Sequence, residues 1–489
     1  MVRSPLFPMH WSPWPIIFWS CSAALAVSIA CAAQTLDIGS RLELFVAADN
    51  IERFENAVLQ PHAPVLAEIA VTCDAPWEGP VTGFAAVLKD GDLYRLYYPN
   101  DRGETREPSA VPMAESRDGI HWTRPVLGVV DFHGSRKNNL VYMGEAGANF
   151  APFLDGNPAA PRSQRYKALG GDRVLWAFVS PDGVRWTKLQ EKPVLTEPPL
   201  DSQNVAFWDA ASGHYVSYMR GAIHPDGSPV TARPWFSDSK GGGDGIRAIR
   251  RSTSRDFVNW TRPELITFEG GLPDHLYTNA VTSYYRAPHF FLGFPMRFVP
   301  SRKKVEAHAY GGVSDAVLIA SRGGRHWNLY RDALIRPGLD ERNWTDRNLI
   351  VARGIVPTST NEVSIYYDEN YRHRSNRIRR AVFRKDGFVS IHAPIGGGAV
   401  LTKPIRFSGR ELVLNYSTSA AGSVRVELRD EAGRPLPGLS AADCEEIFGD
   451  QTAYVVRWRG QSGVAPHAGK PVRLFFQLRD ADVFSYQFR

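Results

Sequence analysis

The sequence predicts an all-β protein, a five-bladed β-propeller followed by a C-terminal β-sandwich. A turn motif that contains Trp recurs along the chain, and a pattern of strand, tight turn and aromatic strand recurs with it. Aromatic residues make up 11% of the sequence, and 42 Gly and 35 Pro are available for turns. Apolar stretches of helical period are scarce beyond the N-terminal segment. We therefore expect many short strands joined by turns.

The recurring turn is clearest at residues 116–125, where the sequence is SRDGIHWTRP. Weaker copies begin at Ser180, Ser254 and Ser321, so successive copies start 64, 74 and 67 residues apart. That period fits one four-stranded propeller blade with long loops. The Ser and Asp can accept bonds from backbone N–H groups of the turn, the Gly accepts a positive φ, and the Trp can pack between neighbouring sheets. We expect these residues to form scaffold rather than to catalyse.

The N-terminal residues 1–33 have the features of a secretory signal peptide. Arg3 precedes an apolar run at 15–32, and small residues at 30–33 offer a cleavage site. The run is short for a membrane span and is interrupted by Cys and Ser, so we expect export followed by cleavage. The mature protein is then secreted or periplasmic, with no membrane span. The alternative is that Cys31 is a lipoprotein acceptor.

The charge of the sequence bears on the kinds of ligand that it could bind. The formal net charge is +6, and the basic residues are scattered except for a cluster at 372–380. Without a basic helix or an RNA-binding motif, the sequence does not indicate nucleic-acid binding. An acidic polysaccharide and plain solubility both explain the excess charge.

After signal cleavage only Cys73 and Cys444 remain, and we expect two separate buried thiols, although export would permit a disulfide.

Five predicted blades follow one another, each opening with a strand that lines the central channel. The predicted first strands are 83–88, 150–154, 204–209, 280–285 and 362–367, the second strands are 93–98, 165–169, 214–220, 289–294 and 378–383, and the third strands of blades one to four are 111–115, 174–179, 246–250 and 316–320. The fifth blade ends in a turn at 385–388 that lacks the Trp, and a strand at 41–46 is expected to complete that blade. Later strands have the spacing of a β-sandwich. The predicted division is therefore a signal peptide at 1–33, a propeller at 38–400 and a sandwich at 401–489.

The repeated turn resembles two known turn types. It is similar to the Asp-box turn Ser-x-Asp-x-Gly-x-x-Trp of sialidases, and to the Ser-x-Asp-x-x-x-Trp turn of the five-bladed furanosidase-type glycoside hydrolases, the invertase and arabinanase relatives. Residues 44–48, Leu-Phe-Val-Ala-Ala, resemble the Leu-Phe-Val-Asp-Asp start of an uncharacterised secreted bacterial branch that also carries a C-terminal β-sandwich. The chain has Ala47 and Ala48 in place of both Asp, and it lacks the Trp-Met-Asn-Asp-Pro, Arg-Asp-Pro and Glu-Cys motifs of invertases. The resemblance implies the architecture, and an altered or inactive site is one alternative.

The same resemblance implies where catalytic carboxylates lie. In a propeller, the starting ends of the first strands open into the ligand cavity, and the furanosidase-type enzymes carry three carboxylates there on separate blades. The equivalent places here hold Glu78, Asp201 and Glu362 on blades one, three and five, and Asn149 and Asn279 on blades two and four. We predict Glu362 as general acid, Asp201 as base or nucleophile, and Glu78 as a third carboxylate or sugar ligand. The alternative for each is a buried acid that bonds strand-end N–H groups.

Residues near these acids are predicted to bind the sugar. Aromatic rings can stack on a sugar, and arginines can clamp a carboxylate or sulfate, although core packing and surface ion pairs are the alternatives. The predicted binding residues are Trp77, Asn149, Gln203, Asn204, Arg220, Asp274, His275, Tyr277 and Arg297.

The predicted function is a secreted glycoside hydrolase that uses carboxylate acid/base catalysis on a poly- or oligosaccharide, with an acidic glycan among the expected substrates. One alternative is a non-catalytic carbohydrate-binding propeller. Another is a sialidase-like hydrolase, which needs three converging arginines and a Tyr/Glu pair. We expect a monomer with a carbohydrate ligand and no cofactor. No zinc, EF-hand or phosphate-loop motif is present, while a structural calcium ion is left open.

Overall fold

The computed structural model describes residues 35–101, 108–230, 245–272 and 274–489. The predicted signal segment, including Arg3 and Cys31, lies outside these residues, so export stays a prediction. The regular secondary structure of the described residues is β-strand, joined by loops and turns. Four short 3-10 turns occur at Glu145–Gly147, Arg162–Gln164, Glu341–Trp344 and Ala465–His467. None of these turns, the only helices in the described ranges, is long and apolar enough to cross a membrane. The all-β prediction is confirmed.

Five strands lie before the first blade. They are β1 (Leu36–Gly39), β2 (Leu42–Leu44), β3 (Ile51–Glu55), β4 (Val58–Pro61) and β5 (Val65–Thr72). The first four pair with strands from the C-terminal part of the chain, whereas β5 pairs with a strand of the fifth blade. The expected completion of the last blade by residues 41–46 is therefore wrong. β2 runs beside the last strand of the chain, and β5 completes the blade instead.

The first blade holds the most regular copy of the predicted pattern. Its strands are β6 (Val81–Thr82), β7 (Ala86–Asp90), β8 (Leu93–Tyr97), β9 (Asn100–Asp101), β10 (Ala110–Ser116) and β11 (Leu140–Met143). Outward from the channel, the order is β7, β8, β10 and β11. β7 and β8 are joined by the two-residue turn Gly91-Asp92, in which Gly91 has a φ of 58°. Two-residue hairpins favour this left-handed conformation, which explains the glycine.

Blades two and three are four-stranded antiparallel sheets with the predicted strand phase. Their strands are β12 (Ala151–Leu154), β13 (Tyr166–Gly170), β14 (Trp176–Ser180), β15 (Thr187–Lys188), β16 (Val205–Asp209), β17 (His214–Ile223), β18 (Ile246–Ser254) and β19 (Glu264–Leu265). Each blade opens with a short, largely buried strand. β12 contacts β7 of the preceding blade and β16 of the following one. The first strands therefore stand side by side around the axis, as predicted.

The fourth blade is a seven-stranded sheet. Its strands are β20 (Thr267–Phe268), β21 (His275–Leu276), β22 (Thr282–Tyr284), β23 (Ala287–Gly293), β24 (Met296–Val299), β25 (Val313–Arg322) and β26 (His326–Ile335). β22 is the innermost strand and contacts β16. The long strand β25 pairs with both β23 and β24. The predicted strands 280–285, 289–294 and 316–320 correspond to β22, β23 and β25.

The fifth blade differs from the prediction by one strand. It consists of β27 (Val356–Pro357), β28 (Glu362–Glu369), β29 (Arg377–Arg384) and β5. Backbone hydrogen bonds between Ala352 and Tyr366 and between Ile350 and Asp368 continue the pairing of β27 upstream. The innermost strand is therefore the segment 350–357, which contacts β7. The predicted first strand of this blade is its second strand.

The C-terminal strands form one ten-stranded sheet together with β1–β4. They are β30 (Val389–Ala393), β31 (Gly398–Thr402), β32 (Ile405–Phe407), β33 (Leu412–Asp430), β34 (Asp450–Val455) and β35 (Pro471–Phe488). In a straight strand, Phe476 and Tyr486 would lie about 33 Å apart. Their ring centroids are 6.4 Å apart, and both rings contact Phe45. The sheet therefore bends over a shared core, which produces the two layers expected of a sandwich.

The repeated Trp turns brace the blades as predicted. Ser116 Oγ accepts a bond of 2.8 Å from the Gly119 N–H, and Asp118 Oδ1 accepts bonds of 2.8 Å from the N–H groups of Ile120 and His121. The Trp122 indole N–H donates to the Gly119 carbonyl. The same pattern recurs at 180–186 and 254–260. Each copy follows a third strand, at the face of the propeller opposite to the starts of the first strands.

The two described cysteines are separate. Cys73 and Cys444 are both free and buried. Burial raises the pKa of the Cys73 thiol far above its ordinary value. The expectation of two isolated buried thiols is confirmed.

The fourth Trp turn offers a test of the scaffold. Trp327 is fully buried and packs edge-to-face against Tyr218 at 5.6 Å, whereas Trp260 in the third turn is only partly buried. Trp327→Ala is expected to cost about 3–5 kcal/mol of unfolding free energy because it empties a core site. Trp260→Ala should cost less than half of that, as measured by urea unfolding. Equal losses would contradict the packing role assigned to Trp327.

Candidate functional site

A cavity of about 930 Å³ opens where the first strands of the five blades begin. We call this end of the propeller the upper face. The lining residues come from two kinds of segment, namely the approach to a first strand and the connection that follows a second strand. Antiparallel pairing returns the end of each second strand to the upper face, so both kinds of segment meet there. The cavity therefore lies where ligands bind in propellers.

One wall of the cavity is acidic. Asp101 is the last residue of β9 in blade one. Asp172 follows β13 of blade two, and Asp201 precedes β16 of blade three. The three carboxylates thus come from three neighbouring blades. We call these residues the acidic wall.

The opposite wall is basic and aromatic. Blade four contributes Tyr277, His308 and Tyr310, and blade five contributes the remaining members. These are Arg347, Tyr371, Arg372 and Arg374. We call these seven residues the basic wall. Among the described lining residues, opposite charges are therefore separated across the cavity.

A buried carboxylate organises the basic wall. Asp346 is 1% exposed, and its Oδ1 accepts from His308 Nε2 at 2.6 Å. Its Oδ2 accepts from Arg347 Nε at 2.7 Å and from Arg372 Nε at 3.2 Å. Burial raises the pKa of Asp346, but the charge of Arg347, the bond from His308 and the charge of Arg372 outweigh burial and hold the pKa below its ordinary value. The ionised Asp346 therefore fixes three cavity-lining side chains in one orientation.

The ring of Tyr310 lies beside these arginines. The Arg372 guanidinium carbon is 4.1 Å from the Tyr310 centroid and 5.2 Å from the Tyr371 centroid. Arg347 lies farther from both rings, at 5.8 and 5.9 Å. These cation–π contacts hold the guanidinium planes against aromatic faces. Both arginines line the cavity.

Tyr277 connects the two walls. Arg220 lies over its ring at 4.1 Å and also donates from Nη1 to Asp201 Oδ1 at 2.8 Å. Arg247 lies 4.8 Å from the same ring. Burial raises the pKa of the Tyr277 hydroxyl, but the charges of Arg220, Arg347 and Arg247 outweigh burial and lower it. The Asp201 side chain remains 55% exposed while that of Arg220 is 1% exposed, so the buried arginine orients an accessible carboxylate.

The chain enters several first strands through left-handed residues. Phe84, Asn149, Ala280 and Leu349 have φ values of 56°, 56°, 44° and 65°. Residues other than glycine rarely adopt this backbone conformation. Contacts with the surrounding structure must offset its energetic cost. The Asn149 amide donates to the Gly171 carbonyl at 3.1 Å, which ties this entry turn to the second connection of blade two.

The predictions for blades two, three and four place three residues correctly. Asn149, Asp201 and Tyr277 all line the cavity. Arg220 lies directly behind it, in contact with Asp201 and Tyr277. The catalytic or binding role of each stays a prediction.

The predicted position of Glu362 is wrong. Glu362 is exposed and is the first residue of β28. Its backbone lies opposite that of Arg384 in the neighbouring strand β29. Because β28 is the second strand of its blade, Glu362 lies on the face opposite to the cavity. The approach to the first strand of blade five contains Asp346 and Arg347, of which Arg347 lines the cavity and Asp346 is buried. An arginine therefore faces the cavity where a carboxylate is predicted.

Glu78 lies behind the cavity wall and is fully engaged there. Its two oxygens accept from the Tyr98 hydroxyl at 2.8 Å, from the Ala75 N–H at 2.9 Å and from Arg124 Nη1 at 3.0 Å. Burial raises the pKa of Glu78, and the bonds from Ala75 and Tyr98 act against that increase. Neighbouring Pro80 lines the cavity, whereas Glu78 does not. Glu78 is therefore a buried acid that bonds local donors, which is the alternative to its predicted role at the sugar.

Three further predicted binding residues form hydrogen bonds within the scaffold. Trp77 donates to Asn139, and Asn204 donates to the Leu200 carbonyl. Gln203 accepts from the N–H groups of Asn279 and Ala280 and donates to the Val351 carbonyl, which links blades three, four and five.

Three other predicted binding residues lie at the edge of blade four. Arg297 forms two bonds with Asp315, and Asp274 pairs with Arg331 at 3.5 Å. Burial, together with Arg247, lowers the pKa of His275 to about 4. None of these three residues lines the cavity.

Ala47 and Ala48 lie far from the upper face. Their neighbour Asp49 accepts from Arg322, which ends β25, and Val46 accepts from the Tyr330 hydroxyl. Since β25 is a third strand, its end lies on the lower face of the propeller. The missing Asp pair therefore does not alter the cavity.

The comparisons with known proteins show only distant structural likeness. No family model and no curated protein matches the chain. A solved structure named "Glycoside hydrolase" has a TM-score of 0.41 and 14% identity, covering 66% of this chain and 92% of that one. A glycoside hydrolase family 43 arabinoxylan arabinofuranohydrolase from Bacillus subtilis has a TM-score of 0.39 and 13% identity, covering 85% and 97%. An N-acetylgalactosamine deacetylase from F. plautii has a TM-score of 0.42 and 12% identity, covering 68% and 96%. All three scores are below 0.5, so the fold assignment rests on the sheets of this chain.

Within the described ranges, no group of three or more His, Cys, Asp or Glu side chains is arranged to hold a metal ion.

Asp346 gives a pH-dependent prediction for the basic wall. Asp346→Asn leaves Arg347 and Arg372 without their carboxylate and is expected to cost about 3 kcal/mol of unfolding free energy at pH 7. The pKa of Asp346 is lowered in the folded state, so its contribution is present above the unfolded pKa of about 3.9 and is lost as pH falls through the folded value. The difference from wild type should therefore shrink below about pH 4 in urea unfolding.

The matched control is Asp332→Asn, at an exposed position of β26. This variant should stay within about 0.5 kcal/mol of wild type at both pH values. A loss for Asp346→Asn that is the same at pH 7 and at the lowest pH would contradict the assigned charge.

Proposed function

We propose that the protein is a glycoside hydrolase that cleaves an acidic poly- or oligosaccharide. The observation that carries this proposal is the divided cavity, in which three carboxylates from neighbouring blades face a wall of arginines and aromatic rings. Glycosidases need two carboxyl groups on either side of the scissile bond. The acidic wall supplies these groups, and the basic wall supplies partners for an anionic sugar.

Asp201 is proposed as the base or nucleophile. Its carboxylate is accessible and is held at 2.8 Å by a buried arginine, which is the kind of orientation that an attacking group requires. Asp101 or Asp172 then supplies the proton to the leaving oxygen. The remaining carboxylate is available to stabilise positive charge on the sugar ring.

The basic wall is proposed to bind a carboxylate or sulfate of the substrate. Arg347 and Arg372 are preoriented by Asp346, so little side-chain entropy is lost when they bind an anion. Tyr310 and Tyr371 offer faces on which a sugar ring can stack. A sugar bound in this way presents its next glycosidic bond towards blades one to three.

Activity on a panel of neutral and acidic polysaccharides tests the reaction. Wild type is expected to release reducing ends from an acidic member, and Asp201→Asn should lower kcat/KM about 10²–10⁴-fold. Asp101→Asn and Asp172→Asn, measured separately, identify the proton donor as the variant whose loss is relieved by a substrate with a more acidic leaving group.

The matched control is Glu362→Gln, on the opposite face of the same ring. It should retain wild-type activity. Full activity in Asp201→Asn would contradict the proposal. Glycan affinity without turnover in wild type would favour the non-catalytic carbohydrate-binding alternative.

A sialidase-like reaction is less well supported. Arg220, Arg247 and Arg347 surround Tyr277, but only Arg347 of the three lines the cavity. The Tyr/Glu pair is missing, since no Glu is among the described residues that line the cavity. The acidic wall therefore supports carboxylate chemistry better.

Arg372 tests the proposed substrate class. Arg372→Met should raise KM for an acidic substrate about 10–100-fold with a smaller effect on kcat, because it removes a charged hydrogen-bond donor from the binding wall. The same substrate with its carboxyl groups reduced to alcohols should not distinguish the variant from wild type. Arg325→Met, exposed near the fourth Trp turn, is the control and should behave as wild type. A kcat loss with unchanged KM would contradict a binding role for Arg372.

A further inference from the structure

A single arginine extends into the central channel below the cavity. Arg353 belongs to the segment 350–357, the innermost strand of blade five, and its backbone bonds to Ala85 and Val87 of blade one. Its guanidinium carbon is 5.9 Å from the ring centroid of Phe153 and 6.0 Å from that of Phe207. These rings belong to the innermost strands of blades two and three. The side chain of Arg353 therefore crosses the channel axis.

The charge of Arg353 has no counterpart in the described protein. The side chain forms no ion pair and no hydrogen bond with described residues, and its Nε–H is buried without a protein acceptor. The residue is 9% exposed. Burial lowers the pKa of Arg353 to about 10. The guanidinium is still protonated at neutral pH.

An isolated buried charge is costly, and proteins almost always pair it. The two phenylalanine rings lie near the outer limit for cation–π contact and compensate only part of this cost. Two other buried arginines of the propeller differ in this respect. Arg220 has Asp201, and Arg380, also largely buried, donates to Glu68 and Ser364.

We propose that the channel holds a halide-sized monovalent anion against Arg353. The limited exposure of the residue favours a small ligand over a sugar carboxylate. Arg353 does not line the cavity, and it lies three residues into the innermost strand, about 10 Å along it from Ile350. The site is therefore separate from the proposed substrate site. A bound anion would link blade five to blades two and three across the axis.

Bromide is the probe for this site. Crystals of wild type soaked in bromide should show an anomalous peak within about 3.5 Å of the Arg353 guanidinium, and Arg353→Met crystals should lack it. In solution, chloride should raise Tm of wild type by about 2 °C or more relative to gluconate at equal ionic strength. Arg353→Met should lose that difference.

Arg136→Met, at an exposed loop position, is the control for loss of one positive charge and should keep the chloride effect. If Arg353→Met does not fold, the wild-type bromide map decides alone. An anomalous map without a peak at the guanidinium would overturn the proposal. So would a chloride effect on Tm that persists in Arg353→Met.

Discussion

The pairing of β5 with β29 is the constraint on which the rest of the propeller depends. β5 precedes the first blade in the chain and supplies the outermost strand of the last blade, so the two ends of the propeller are joined within one sheet. This pairing also fixes the phase of blade five, with 350–357 as the innermost strand. Arg347 is thereby placed at the cavity and Glu362 on the opposite face.

The closed ring brings residues that are distant in sequence to one cavity. Asp101 and Arg372 are far apart in the chain, yet both line it because their blades are neighbours across the closure. The cavity carries carboxylates on blades one to three and arginines on blades four and five. This separation of charge gives a bound acidic sugar one preferred orientation. The proposed reaction and the proposed substrate class both follow from that orientation.

Sequence periodicity predicts much of this fold and a smaller part of the site. The Trp turns fix the strand phase of blades one to four, so Asn149, Asp201 and Tyr277 could be placed at the cavity from sequence. Blade five lacks the Trp turn, so no repeated signal marks its short first strand, and the sequence prediction therefore places Glu362 on the wrong face. Arg372 and Arg374 stood out only as part of the basic cluster at 372–380. His308 and Asp172 lie in connections with no repeated pattern, and only tertiary structure brings them to the site.

A crystal structure of Asp201→Asn with a bound acidic oligosaccharide would show how the two walls orient the substrate. We expect a sugar carboxylate or sulfate within about 3 Å of Arg347 and Arg372, with the next glycosidic oxygen beside Asp101, Asp172 and position 201. A sugar whose anionic group points to the acidic wall would contradict this expectation, as would a sugar bound outside the cavity.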